Sequence, residues 1–220
     1  DLKGYTRDTR SAVLALRPAP LQLNFLGYPG TLGAAYVDYI IGDPIVTPMD
    51  HAADYDERIA QLPHCYQPND RQRAIGPAPS RATLGLPDGA VVLACFNYPY
   101  KITEAVFGRW CQVLAQVPDA VLWLLSTNEL AEANLRAAMQ AHGLDPMRLV
   151  VAPELPLADH LARLQRADLV LDTEPYNAHT TCSDALWVGV PVITRTGDTF
   201  ASRVATSLLH AAGLPELAVE

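Results

Sequence analysis

From residue 90 to residue 213 the chain alternates short apolar runs with longer amphipathic stretches, and this alternation restricts the fold more than any other feature. We predict buried strands at 91–95, 121–125, 149–151, 169–171 and 192–194. We predict helices at about 103–117 (with Thr103 as N-cap), 130–142, 158–166 and 200–212. Strands that alternate with helices in this way indicate a parallel sheet covered on both faces, a Rossmann-like domain.

The first 60 residues follow a different pattern. Two further strands are predicted at 21–26 and 39–41, joined through a turn at 27–30. Because so few strands do not form a stable sheet alone, we expect residues 1–75 to be the C-terminal part of a first Rossmann-like domain truncated at its N-terminus. Residues 76–220 form the second domain. A connector at 63–87 contains five prolines, which favours an extended interdomain linker.

Composition and charge restrict the possible partners. The net charge is −8 and basic residues form no stripe, so we expect no nucleic-acid or membrane partner. Four cysteines without paired spacing argue against a disulfide framework or a zinc site. The pair Asp54 and Asp56 has the Asp-x-Asp spacing of some metal sites, but it continues into what reads as a charged helix start. We therefore expect a cytoplasmic protein with no metal and no cofactor.

The loop at 172–184 is the strongest local indication of function. It lies between a predicted buried strand and a predicted helix, where α/β sheets bind phosphate at a helix N-terminus. His179, Thr180 and Thr181 supply imidazole and hydroxyl groups there, which indicates a nucleotide diphosphate. Thr181 and Asp184 have the spacing of a capping box. Two interpretations stay open: a cap alone, or a cap beside an anion site in which Asp184 reaches a ribose.

Other candidates follow the carboxyl ends of further predicted strands, where a cleft between two α/β domains would open. Lys101 precedes a helix N-terminus, an unfavourable place for a cation unless an anion binds nearby. The alternative is a solvated lysine. His160 is either an exposed histidine or a base contact. Gly27 is either part of a tight turn or a point of close approach to a ligand.

With these residues in view, the chain resembles the catalytic region of the O-GlcNAc transferases over essentially its whole length. The resemblance is carried by ordered blocks that include Leu-Gly-Tyr-Pro-Gly-Thr at 26–31 and Asn-Ala-His-Thr-Thr at 177–181. Further matching blocks lie at 4–6, 16–20, 38–41, 100–102, 121–125 and 201–205.

The resemblance implies a GT-B-like α/β fold with an acceptor-side and a UDP-binding domain. It also implies an inverting, metal-independent transfer of GlcNAc from UDP-GlcNAc to Ser or Thr of a protein or peptide, and upstream helical repeats in the full protein. Lys101 matches the lysine that neutralises the departing diphosphate. The residues carried over to donor binding are His160 (uracil), His179, Thr180 and Thr181 (diphosphate), Asp184 (ribose), Leu26 and Gly27 (sugar pocket), with Tyr100 and Tyr176 beside them.

Departures from the family pattern leave other functions open. Leu157, Gly108 and Tyr176 stand where animal relatives have a lysine, a glutamine and a cysteine, so the choice of sugar is uncertain. The sequence also offers no convincing general base. The alternatives are a non-catalytic UDP-sugar-binding scaffold, a related protein O-fucosyltransferase, and a UDP-GlcNAc epimerase, which would need acid and base residues at the sugar.

Overall fold

The computed structural model describes residues 1–126 and 128–219, and it contains two parallel β-sheets. The first sheet has the order β1-β2-β3, from β1 (Leu23–Asn24), β2 (Tyr39–Gly42) and β3 (Arg58–Gln61). The second sheet has six strands: β4 (Val91–Cys95), β5 (Ala120–Leu125), β6 (Leu149–Ala152), β7 (Leu169–Leu171), β8 (Val192–Arg195) and β9 (Ala218–Val219). The α-helices are α1 (Glu104–Gln116), α2 (Glu129–Ala141), α3 (Leu157–Leu164), α4 (Thr180–Trp187) and α5 (Val204–Ala211).

The strand order of the second sheet fixes where a ligand can bind. The order is β6-β5-β4-β7-β8-β9, with all neighbouring strands parallel. The chain builds outward from β4 to one edge, returns to β7 and then builds toward the other edge. In such doubly wound sheets, ligands bind outside the carboxyl ends of the strands at the point where the order reverses. That point lies between β4 and β7, so the loops after these two strands face one crevice.

Helices cover both faces of this sheet, as the sequence predicts. Successive side chains of a strand point to opposite faces: Leu93 and Cys95 pack with α1 and α2, whereas Val92 and Ala94 pack with α4 and α5. Helix α1 begins after Thr103, whose hydroxyl accepts from the Val106 N–H at 3.3 Å. The predicted α/β class, with parallel sheets, is confirmed.

Some elements differ from the sequence prediction. Only 23–24 of the predicted strand 21–26 pair with β2, because the chain turns away at Leu26, whose φ is +73°. Residues 54–58 do not start a helix: a 3₁₀ helix, Met49–Asp54, ends there and the unpredicted strand β3 follows. The last predicted helix is divided into a 3₁₀ turn, Phe200–Ser202, and α5.

The two sheets belong to parts of the chain that contact each other directly. Ile40, Val46 and Tyr66 share a hydrophobic cluster with the second sheet, and the Tyr66 and Phe200 rings meet edge to face at 5.0 Å. The hydroxyl of Ser207 in α5 donates to the buried Asp43 carboxylate at 2.6 Å. The walls of a crevice between these parts are therefore held in a defined arrangement.

Within the described part of the chain, no helix combines the length and the apolar character needed to cross a membrane. All four cysteines are free, and Cys95 and Cys111 lie in the core. Burial raises the pKa of the Cys95 thiol to about 12, so this thiol stays protonated and inert at neutral pH.

Candidate functional site

A cavity of about 520 Å³ opens at the switch point between β4 and β7 and extends to the loop after β1. Seven of the predicted site residues line it: Leu26, Gly27, Lys101, Tyr176, His179, Thr180 and Thr181. The other lining residues come from the connector and from the loop after β4: Tyr66, Gln67, Pro68, Asn69, Asp70, Arg73, Phe96, Asn97 and Tyr98. Tyr100, His160 and Asp184 lie outside this lining.

Lys101 brings an ammonium group to the cavity. Its Nζ donates to the carbonyl of Asn177 at 2.9 Å and lies 3.7 Å from the ring centroid of Tyr176. Burial lowers the pKa of Lys101, and attraction to Asp172 acts in the opposite direction. The side chain therefore spans from the loop after β4 to the loop after β7 and brings an ammonium group to the crevice.

A buried carboxylate, Asp172, organises the loop after β7. One of its oxygens accepts from the N–H groups of Thr173 (2.7 Å) and Ala178 (2.5 Å), and the other accepts from the Thr194 hydroxyl (2.6 Å). Burial raises the pKa of Asp172 to about 7, and these hydrogen bonds act against the shift. Asp172 thus holds the two ends of the 173–178 loop through these hydrogen bonds and fixes the position of the loop's carbonyl groups.

Asn97 joins the loop after β4 to the loop after β7. Its amide nitrogen donates to the Thr173 hydroxyl at 2.7 Å, and its amide oxygen accepts from the Thr181 hydroxyl at 2.6 Å. Neither Asn97 nor Asp172 has a role among the predicted site residues. Both are polar residues at the carboxyl ends of buried strands, a position that marked the stretches 97–101 and 172–184 in the sequence without giving either residue a role.

The N-terminus of α4 faces the cavity, but the predicted capping box does not form. The N-cap residue is His179, and no side chain caps the helix. Thr181 instead donates its only hydroxyl proton to Asn97, and Asp184 pairs with Arg73. Thr180 is exposed, and among residues 1–126 and 128–219 its hydroxyl has no hydrogen-bond partner. An exposed hydroxyl beside the first N–H groups of a helix is suited to an anion.

His179 is mostly buried between this helix and the segment after β8. Its Nε2 lies 3.2 Å from the carbonyl of Ala201, and because a carbonyl only accepts, Nε2 carries the proton. Burial, and secondarily the charge of Lys101, lowers the pKa of His179 to about 4. The neutral imidazole therefore presents Nδ1 as an acceptor, and it would need a further proton to donate to a phosphate.

Asp184, the predicted ribose contact, forms a buried ion pair with Arg73 of the connector. The distance is 2.5 Å, and the two side chains are 6% and 10% exposed respectively. Arg73 also donates to the Ser183 hydroxyl at 3.3 Å and lies 4.9 Å from the Trp187 ring centroid. Nothing in the predicted site pointed to Arg73, because the contact joins residues 111 positions apart.

His160, the predicted base contact, lies behind Phe96 at the edge of the cavity, with ring centroids 5.0 Å apart. Its Nδ1 accepts from the guanidinium of Arg163 at 3.2 Å, and burial lowers the pKa of His160 to about 4. Arg163 is itself deeply buried and lies 4.6 Å from the Phe96 ring centroid. Arg163, like Arg73, is a cation near the crevice that was absent from the predicted site.

The two remaining predicted residues near the first sheet differ in character. Leu26 holds a positive φ of +73°, a conformation that non-glycine residues rarely adopt and that is concentrated at functional sites. Gly27 makes a close approach, but to the chain itself: a Cβ there would lie 2.0 Å from the Leu2 carbonyl oxygen.

Tyr100, in the loop after β4, is 75% exposed and stacks on Tyr98, with ring centroids 5.9 Å apart.

Among the residues that the structure describes, no three His, Cys, Asp or Glu side chains are grouped to hold a metal ion. The cavity instead combines one ammonium group, an exposed hydroxyl and the N-terminus of α4. Groups of this kind can stabilise a negatively charged ligand, and nucleotides are the ligands that commonly bind at the switch point of a doubly wound sheet.

Comparison with protein families assigns the chain to one group. The sequence profile of glycosyl transferase family 41 matches residues 1–77 and 72–220. The solved structure of a lysine-to-methionine mutant of Thermobaculum terrenum O-GlcNAc transferase superposes with a TM-score of 0.86 at 36% identity. That superposition covers 94% of this chain and 39% of the solved chain.

Curated relatives carry related names. A probable UDP-N-acetylglucosamine–peptide N-acetylglucosaminyltransferase SEC of Arabidopsis thaliana is 40% identical over 97% of this chain and 22% of its own length. A UDP-N-acetylglucosamine–peptide N-acetylglucosaminyltransferase of Caenorhabditis elegans is 28% identical over 99% of this chain and 29% of its own length. The chain thus spans less than a third of the length of these relatives.

Proposed function

We propose that this chain, which belongs to glycosyl transferase family 41, forms the donor-binding part of a peptide glycosyltransferase. That enzyme transfers GlcNAc from UDP-GlcNAc to Ser or Thr hydroxyls of peptides. The observation that carries the proposal is the convergence of Lys101, Thr180 and the N-terminus of α4 on one cavity at the switch point of the sheet. That set of donors is suited to a diphosphate.

The chemistry requires UDP to leave C1 of the sugar while a hydroxyl oxygen attacks. Negative charge grows on the β-phosphate as the C1–oxygen bond breaks, so donors already aimed at that phosphate lower the barrier. In this proposal Lys101 and the N–H groups of α4 take this task without a metal ion. Attack from the face opposite the leaving diphosphate inverts the configuration at C1, and the products are the glycosylated hydroxyl oxygen, UDP and the released hydroxyl proton.

The remaining residues suggest an orientation for the nucleotide. Arg163, Phe96 and His160 form a cationic and aromatic cluster at one side of the cavity, which suits a base. Asp184 of α4 pairs with Arg73 of the connector, and Arg73 lines the cavity, so a ribose hydroxyl bound there would meet both a donor and an acceptor. Leu26 and Gly27 then face the sugar across the crevice.

Mass spectrometry of acceptor peptides tests the proposal. The complete gene product is incubated with a panel of Ser and Thr peptides and either UDP-GlcNAc or GDP-fucose, with and without EDTA. The proposal expects an added N-acetylhexosamine on a Ser or Thr side chain from UDP-GlcNAc alone, undiminished by EDTA. Transfer of fucose would favour the fucosyltransferase, and UDP-GlcNAc binding without any transfer would favour the scaffold. Loss of transfer in EDTA would contradict the metal-free mechanism.

A further inference from the structure

The aromatic ring of Tyr176 faces the ammonium group of Lys101. The Nζ atom lies 3.7 Å from the ring centroid, well within the range of about 6 Å for a cation–π interaction. Tyr176 is partly buried, and its ring also lies 5.0 Å from the ring of His179. The ring therefore lies close to both Lys101 and His179.

We propose that Tyr176 is a positioning residue that holds the Lys101 ammonium in place for the departing diphosphate through the face of its ring. This inference rests on the function proposed above. It goes beyond that function because it states that an aromatic ring, that of Tyr176, and not a carboxylate holds the Lys101 ammonium in position.

The hydrogen bonds of the site are consistent with this arrangement. An ammonium group has three N–H donors. One donates to the Asn177 carbonyl at 2.9 Å, and the ring face of Tyr176 is available to a second. One donor is left for a group in the cavity, which Lys101 lines. The Lys101 side chain is thus restrained by two neighbours before any ligand binds.

The ring is itself held by the loop from which it projects. The Thr173 hydroxyl donates to the Tyr176 carbonyl at 2.7 Å, and the Asn177 amide donates to the Thr173 carbonyl at 2.9 Å. Asn97 in turn donates to the Thr173 hydroxyl. The support of Lys101 is therefore connected to both strand ends at the switch point.

An aromatic face suits this task better than an acidic side chain. A carboxylate in contact with Lys101 would cancel the charge that the diphosphate needs, whereas a ring attracts the ammonium without adding net negative charge. The nearby carboxylate of Asp172 is instead occupied by the N–H groups of Thr173 and Ala178 and by the Thr194 hydroxyl. Asp172 therefore attracts Lys101 only through space, and the Lys101 ammonium stays available to a ligand in the cavity.

NMR of the protein with ¹³C-labelled lysine tests the contact without any reaction. This chain contains two lysines, Lys3 and Lys101, and the Lys101→Arg variant identifies the signal of Lys101. Ring currents should shift the ε-methylene signal of Lys101 upfield in the parent protein. The shift should persist in Tyr176→Phe, which keeps the ring, and disappear in Tyr176→Leu and Tyr176→Met. An unchanged signal in both ringless variants would overturn the inference.

Steady-state kinetics with UDP-GlcNAc tests the consequence for the reaction. We expect kcat to fall about tenfold in the ringless variants, the size of one cation–π contact, with KM changed less than about threefold. Tyr176→Phe should stay within about threefold of the parent kcat. Parental kcat in the ringless variants, or an equal loss in Tyr176→Phe, would overturn the inference. A parent that transfers no GlcNAc would contradict the proposed function instead, and the NMR signal would still decide the contact.

Discussion

At the scale of single residues, burial sets the charge of each group in the cavity. His179 is kept neutral, Lys101 is held with a lowered pKa, and Asp172 has a pKa of about 7 in spite of the donors around it. These shifts share one cause, since each group is removed from water and its charged form is disfavoured. A diphosphate in the cavity would favour the charged forms of both Lys101 and His179.

The ammonium of Lys101 should matter more for the reaction than for donor binding, because the charge on the β-phosphate grows as the bond to the sugar breaks. We expect Lys101→Ala to lower kcat at least about 100-fold, the usual effect of losing one such donor. The dissociation constant of UDP should change far less. Steady-state kinetics and calorimetry measure the two effects, with the exposed Lys3→Ala as control. Equal kcat for Lys101→Ala and the parent would remove Lys101 from this role.

His179 should make the folded state sensitive to acid. Because the pKa of His179 is about 4 in the folded chain and near 6.5 in the unfolded chain, the unfolded state binds more protons between these values. Its contribution to the free energy of unfolding is complete above pH 6.5. We expect about 2 kcal/mol of it to be lost as the pH falls to 5.

Denaturant unfolding of the parent and of His179→Gln measures this contribution as a difference between the two proteins. The difference is needed because Asp172, with its raised pKa, contributes stability that is lost as the pH rises from about 4 to about 7. Gln can still donate to the Ala201 carbonyl but cannot titrate. The exposed His142→Gln serves as the matched control. A parent and a His179→Gln variant with parallel pH profiles would contradict the assignment.

At the scale of elements, regular patterns made the second sheet predictable. Strands 91–95 and 169–171 lie where the sequence predicts them. A short continuous apolar run between turn residues is typical of a strand that is buried on both faces of a parallel sheet. Strand β3 was missed because Arg58 and Gln61 at its ends are exposed and leave no apolar run. The last helical segment starts with a 3₁₀ turn that Thr199 and Ser202 cap with a capping box, the motif that the sequence predicts at Thr181.

The N-terminus of α4 should use its two threonines differently. Thr180 is exposed in the cavity, whereas the Thr181 hydroxyl donates a hydrogen bond to the amide oxygen of Asn97. We expect Thr180→Val to weaken UDP binding about fivefold, near 1 kcal/mol, with the free energy of unfolding unchanged. Thr181→Val should lower the free energy of unfolding by about 1 kcal/mol through its lost bond to Asn97. Calorimetry and chemical unfolding separate the two effects. The reverse pattern would show that Thr181, and not Thr180, contacts UDP.

At the scale of the whole molecule, the connector is more than the extended linker that its prolines predict. Arg166 donates to the Pro79 carbonyl at 2.6 Å, the Gly76 N–H donates to the Ala158 carbonyl at 3.0 Å, and Arg73 reaches Asp184. These contacts join residues far apart in the sequence, and single arginines in a proline-rich stretch carry no pattern that would reveal them. The wall that the connector adds to the cavity was therefore not predictable.

Arg73 should hold this wall in place. Removing one partner of a buried ion pair leaves an uncompensated charge and costs about 3–5 kcal/mol. We therefore expect Arg73→Met to lower the free energy of unfolding by this amount, and Asp184→Leu in the same protein to restore part of the loss. Arg71→Met, two positions earlier and exposed, should have almost no effect. An Arg73→Met variant as stable as Arg71→Met would contradict the role of the pair.

A crystal structure of the protein with UDP tests the central claim most directly. The proposal places the β-phosphate within about 3 Å of the Lys101 Nζ and of the first N–H groups of α4, with the nucleotide in the cavity between β4 and β7. A nucleotide bound elsewhere, with its phosphates remote from Lys101 and Thr180, would contradict it.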